Sequence, residues 1–170
     1  CCTYAPSVIE LDNDGNYIQG WGGPFTPTAD AAKYEWPEGE HGITVDYKDN
    51  VWLCGYVKNA EAKKDDNQCG KFLMQIGHSG QSKGSLDTEN LNHATKVWVW
   101  PKTNEAFISD GYVNRRVIVF DADTGKFKRM WGAYGKKPDD SAPRTRSFEG
   151  EPPQQFNNVH GIAISNDGLV

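Results

Sequence analysis

The run Gly15-Asn16-Tyr17-Ile18-Gln19-Gly20-Trp21-Gly22 returns as Gly70-Lys71-Phe72-Leu73-Met74-Gln75-Ile76-Gly77. It returns again as Gly125-Lys126-Phe127-Lys128-Arg129-Met130-Trp131-Gly132, each copy beginning 55 residues after the last. Every copy is a glycine turn leading into a short alternating strand. A second repeat is interleaved with the first. His41-Gly42-Ile43-Thr44-Val45-Asp46, Thr95-Lys96-Val97-Trp98-Val99 and His160-Gly161-Ile162-Ala163-Ile164-Ser165 each run through a polar Asn, Asp, Gly or Pro turn into a second strand. A unit of this size cannot bury its apolar face alone, so units of this kind stack on one another.

Short strands, glycine turns and a period near 55 residues together predict an all-β chain, a β-propeller. Residues 95–100, 106–110, 116–121 and 126–131 make one four-stranded meander. The whole of 1–170 reads as a single partial propeller domain, with blade strands at about 7–22, 41–77, 95–132 and 160–170. That is about three blades, and propellers close with roughly four to eight, so the expectation is a piece of a larger ring. The remaining blades come either from the same, longer protein or from a second copy completing a six-bladed ring. One blade departs from the pattern. Its third strand would fall at 57–68, a stretch too polar for a sheet interior and better suited to a loop. The segments 23–40 and 133–158 are the other long loops, where ligand contacts of a propeller are expected.

A net charge of −5 argues against a nucleic-acid partner, which needs a basic face. No apolar run approaches the roughly 20 residues of a membrane span. Of the four cysteines, Cys54 and Cys69 bracket the polar excursion of one blade. They form either a disulfide, which places the protein in an oxidising, exported setting, or a pair of buried free thiols.

Phase in the repeat selects the candidate site. His41 and His160 both open an innermost strand and both precede Gly and Ile, with Thr95 at that phase in the blade between them. Residues at matching phases of different blades converge on the central channel. With a third histidine from a blade outside 1–170, two imidazoles there would make a set suited to zinc, the fourth position being open for water or substrate. The other reading is that each caps its strand by bonding to the neighbouring blade's backbone; both readings stand. His78 and His93 fall off this phase and read as locally bonded. In the turn Ser109-Asp110-Gly111-Tyr112-Val113-Asn114-Arg115-Arg116, Gly111 permits the turn, Asn114 bonds to backbone and Arg116 pairs with Asp110. Tyr112 has no such mechanical duty and is the candidate acid or base.

The turn 110–116, the strand Val117-Ile118-Val119-Phe120, and the following Gly125-Lys126-Phe127 and Trp131-Gly132 resemble an NHL repeat. The order His41-Gly42-Ile43, then Ser109-Asp110-Gly111-Tyr112, Asn114 and Arg116, then Val159-His160, resembles the peptidyl-α-hydroxyglycine amidating lyases across about 38–170. That resemblance implies a secreted, six-bladed, zinc-dependent propeller that cleaves a C-terminal α-hydroxyglycine to a peptide amide and glyoxylate. It makes His41 and His160 two of three zinc ligands, Tyr112 the catalytic tyrosine, and Ile43 a carbonyl donor to a structural calcium. The family's third histidine and its catalytic arginine have no counterpart in 1–170, and Val113 and Asn92 stand where a family disulfide would be. Two expectations follow. One is a zinc-dependent lyase or hydrolase acting on a small-molecule or peptide ligand; the other is a non-catalytic module that binds protein or ligand through its long loops.

Overall fold

The computed structural model describes residues 6–23, 35–37, 39–56, 73–144 and 150–170. Among them there is no α-helix, and the strands form three antiparallel sheets. The first pairs β1 (Val8–Leu11) with β2 (Tyr17–Trp21), and the second pairs β3 (Gly39–Val45) with β4 (Val51–Tyr56). The third is a four-stranded meander of β5 (Ala94–Trp100), β6 (Glu105–Asp110), β7 (Arg116–Asp121) and β8 (Phe127–Trp131).

Local chemistry explains the hairpins. Asp46 directly follows β3, and its carboxylate accepts from the Lys48 and Asn50 amides at 2.8 and 2.9 Å. It also accepts from Asn50 Nδ2 at 3.0 Å and from the Trp52 indole at 2.8 Å. Asp12 does the same between β1 and β2, taking the Asp14 and Asn16 amides at 2.9 and 2.8 Å. Such Asx turns give the chain a reason to reverse before any tertiary contact forms.

Packing follows from strand alternation. Val97, Val99, Ala106, Ile108, Ile118 and Phe120 fill one face of the third sheet and meet Cys54 and Trp52 of the second. Phe107, Val117 and Val119 fill the opposite face and meet Val159, Ile162 and Ile164. The second sheet therefore lies on one face of the third, and the 159–164 segment lies on the other. The outward face of the second sheet carries Ile43, 53% exposed, with Val45 and Val51 also exposed.

Two expected strands differ in the structure. Residues 73–77 make no strand pairing among the described residues; Ile76 packs on the core instead, beside Gly125, while its expected neighbour 57–68 lies outside the described residues. Residues 160–165 are likewise unpaired, although Ile162 and Ile164 are buried and Gly161 and Ala163 exposed, as strand alternation requires. Their side chains are satisfied by the third sheet, but among the described residues no neighbouring strand supplies a ladder. Cys54 is buried, and burial, with a further push from the Asp110 charge, raises its thiol to about 12. Its expected partner Cys69 lies outside the described residues.

Candidate functional site

His41 is the extra residue of a β-bulge. Pairing steps from Glu40 opposite Gly55 to Gly42 opposite Cys54, leaving His41 without a cross-strand partner. Thr95 is bulged in the same way, between Ala94 opposite Asp110 and Lys96 opposite Ser109. A bulge re-aims a side chain out of the sheet's alternation, and both residues are thereby turned toward the same end of the stacked sheets. Gly42 allows the approach of the two sheets, since a Cβ there would stand 2.2 Å from the Thr95 carbonyl oxygen.

That carbonyl accepts from His41 Nδ1 at 3.1 Å. A carbonyl has no proton to give, so Nδ1 is the donor and a neutral His41 presents an unprotonated Nε2. Nε2 points to the Tyr112 hydroxyl at 3.2 Å, and the same hydroxyl lies 2.7 Å from His160 Nε2. The ring centroids of His41 and His160 are 5.0 Å apart, with Tyr112 5.4 and 5.3 Å from them. Three residues far apart in sequence thus meet around one oxygen, on a solvent-facing surface.

The turn carrying Tyr112 is rigid underneath. Asp110 accepts from the Asn92 amide at 2.8 Å, from Asn114 Nδ2 at 2.7 Å and from Arg116 Nε at 2.9 Å. The Asp110–Arg116 pair is fully buried. Burial pushes the Asp110 carboxyl up, against the pull of Arg116 and the N–H donors. Arg116 also donates to the Ser85, Asp87 and Asn90 carbonyls, which fixes the 85–90 loop to β7. Asn114 bonds to the Asp110 carboxylate and not, as expected, to backbone. Gly111 lies against the neighbouring segment so closely that a Cβ would be 2.1 Å from the Val159 carbonyl oxygen.

Thr95 is the residue that sequence reasoning passed over. Its hydroxyl lies 2.8 Å from Ser109 Oγ and 3.0 Å from each of the Ser109 and Val159 carbonyls. It stands at the histidine phase between two histidines, and that position was the available signal. Ile43 is two residues past His41 with its side chain in solvent. His78 lies 3.5 Å from Glu35, and His93 stacks near Tyr56 at 4.9 Å, both away from the triad.

Among the described residues, no group of three or more His, Cys, Asp or Glu is placed to hold a metal. His41 and His160 fit two positions of a zinc site, because both Nε2 atoms face one point and His41 Nδ1–H is anchored on a carbonyl, the usual outer-shell support of a metal-bound histidine. Nothing comparable surrounds Ile43, which lacks any acidic cluster among the described residues.

The chain is similar to amidating enzymes. It is 32% identical over 124 residues to the peptidylglycine alpha-amidating monooxygenase of Rattus norvegicus, a match covering 73% of this chain and 11% of that protein. It is 26% identical over 135 residues to peptidyl-alpha-hydroxyglycine alpha-amidating lyase 1 of Drosophila melanogaster, covering 72% and 24% of the two chains. To lyase 2 of the same organism it is 34% identical over 89 residues, 52% of this chain and 21% of that one. The chain thus spans between about a tenth and a quarter of the length of these relatives. No protein-family model matches it.

Proposed function

We propose that this chain is an arc of an NHL-type β-propeller carrying part of an amidating-lyase site. The observation that carries the reading is the meeting of His41, Tyr112 and His160 around one hydroxyl, from three consecutive packing units. The similarity to proteins named as hydroxyglycine amidating lyases supports it.

The reaction would split the C–N bond of a peptidyl α-hydroxyglycine. The substrate hydroxyl loses a proton, its electrons form the aldehyde of glyoxylate, and the C–N pair leaves on nitrogen, which takes up a proton as the amide forms. Zinc, when bound, would polarise the substrate hydroxyl and favour its deprotonation. His41 and His160 would hold the ion through Nε2, together with a ligand from outside the described residues. Tyr112, entering as the phenolate, would accept the hydroxyl proton and return it to the leaving nitrogen, so no further reactant is needed. Thr95 would keep His41 in the tautomer that leaves Nε2 free. An exported location belongs to the same proposal; a Cys54–Cys69 bridge, read by mass spectrometry, would support export.

The test is the full-length protein with a peptide ending in α-hydroxyglycine, read as glyoxylate released. Tyr112→Phe is expected to lower kcat by about a hundredfold or more, in the range of lost general acid–base catalysis. His160→Ala is expected to lower bound zinc, measured by atomic emission. Zinc-loaded protein that releases no glyoxylate would leave a non-catalytic binding module.

A further inference from the structure

Arg144 sits on the long connection after β8, and its guanidinium reaches two different parts of the triad's support. Nη2 donates to the Val113 carbonyl at 2.6 Å, directly after Tyr112. Nη1 donates to the Asn157 carbonyl at 2.5 Å and to Asn158 Oδ1 at 2.9 Å, just ahead of His160. A planar fork can hold acceptors on two sides at once, and an ammonium cannot reproduce that geometry. Charge-assisted bonds of this kind are also stronger than neutral ones.

The loop that presents Arg144 is itself pinned. Buried Arg115 donates to the Ala142 carbonyl at 2.6 Å. The Ser85 amide donates to Asp140 at 2.7 Å, and the Ser85 hydroxyl donates to the same carboxylate. Ser141 closes on Asp139 through its amide and hydroxyl at 2.9 and 2.6 Å. The loop therefore brings Arg144 to the junction from a fixed base.

We propose that Arg144 is a positioning residue, tying the Tyr112 turn to the His160 segment and so setting the 2.7 Å contact between phenol and imidazole. Its catalytic consequence rests on the lyase reading; its geometric role does not. Arg144 touches neither reacting atoms nor either imidazole in this arrangement. It acts through the two backbone segments that carry them.

The experiment uses the full-length protein, labelled with ¹⁵N-histidine, as wild type, Arg144→Ala, Arg144→Lys and Asn158→Ala, with resonances read after chelation, so that His160 Nε2 bonds to Tyr112 and not to a metal, and turnover read with zinc added. Arg144→Ala is expected to shift the His160 Nε2 resonance as the Tyr112 bond loosens, with the melting curve still cooperative. On an α-hydroxyglycine peptide, kcat is expected to fall about tenfold, a modest misplacement cost, with KM within about twofold. Lys is expected to restore neither reading, and Asn158→Ala, which removes one acceptor and leaves the arginine, to give a smaller shift of the same sign. An unchanged His160 resonance in Arg144→Ala, or full rescue by Lys, overturns the proposal. Should Arg144→Ala fail to fold, the Lys and Asn158 variants decide on the same terms. A wild-type protein without lyase activity would remove the lyase reading alone, because the resonance still reports whether Arg144 sets the contact.

Discussion

Gly111 shows how little room the site leaves at the residue scale. A methyl group on it would meet the Val159 carbonyl oxygen at 2.1 Å and the Val159 nitrogen at 2.2 Å, both backbone atoms that cannot rotate away. Gly111→Ala should therefore push the His160 segment off the third sheet. We expect the melting temperature to fall by several degrees, and the His160 Nε2 resonance to lose its Tyr112 partner. Thr95→Val tests the adjoining contact with little change of shape. It removes the hydroxyl shared between Ser109 and Val159, leaving a buried carbonyl short of a donor, and should cost about 1–3 kcal/mol in chemical denaturation.

At the scale of elements, the hairpin turns and the sheet edges carry the measurable terms. Asp46→Ala removes four acceptor contacts from the β3–β4 turn, the Trp52 indole among them, and should lower stability by about 1–2 kcal/mol. Glu105, at the start of β6, is held near pKa 2 by Arg129 on β8, whose guanidinium donates to both carboxylate oxygens at 2.7 and 2.9 Å. Burial opposes that shift, and Thr103 and Lys128 reinforce it. A carboxyl depressed in the folded state stabilises fully above its unfolded value of about 4.5. That contribution is lost as pH falls from about 4.5 toward 2, so stability should decline across this window. Glu105→Gln should flatten the decline, at a cost near neutral pH of about 1 kcal/mol, since Arg129 is half exposed. Turns like these were legible in the sequence because their chemistry is local: an Asp, then an Asn or Gly, within five residues. The convergence of His41 and His160 was legible through repeat phase. The bulges that aim His41 and Thr95 were not, since a bulge is decided by how closely Gly42 lets one sheet approach the next. Arg144 was invisible for the same reason, its three acceptors coming from two distant segments. The unpaired 160–165 run read as a strand because its alternation is real, while a ladder also needs a neighbour.

For the whole molecule, the outward face of the second sheet is the telling surface. Ile43 and Val45 stand at the repeat phase of Val97 and Val99, which are buried, and of Ile162 and Ile164, also buried. If the stack continues as a propeller, that face is covered by a further sheet in the full-length protein. There, Ile43→Thr should then destabilise about as much as Val97→Thr, each by roughly 1–2 kcal/mol in denaturant titrations. A negligible cost at Ile43 beside a large one at Val97 would count against a continuing stack.

Thr95 joins two walls of the site through one residue: its carbonyl grips the His41 ring, and its hydroxyl grips the peptide just ahead of His160. Any displacement of one imidazole's support is passed to the other through one residue, from its main-chain carbonyl to its hydroxyl. That shared residue couples the two supports, so an open, solvent-facing site is also a stiff one. A ligand arriving there finds both nitrogens already spaced and gives up little freedom to organise them. Softening that link at Thr95 should therefore be felt as slack at both rings together, never at one alone.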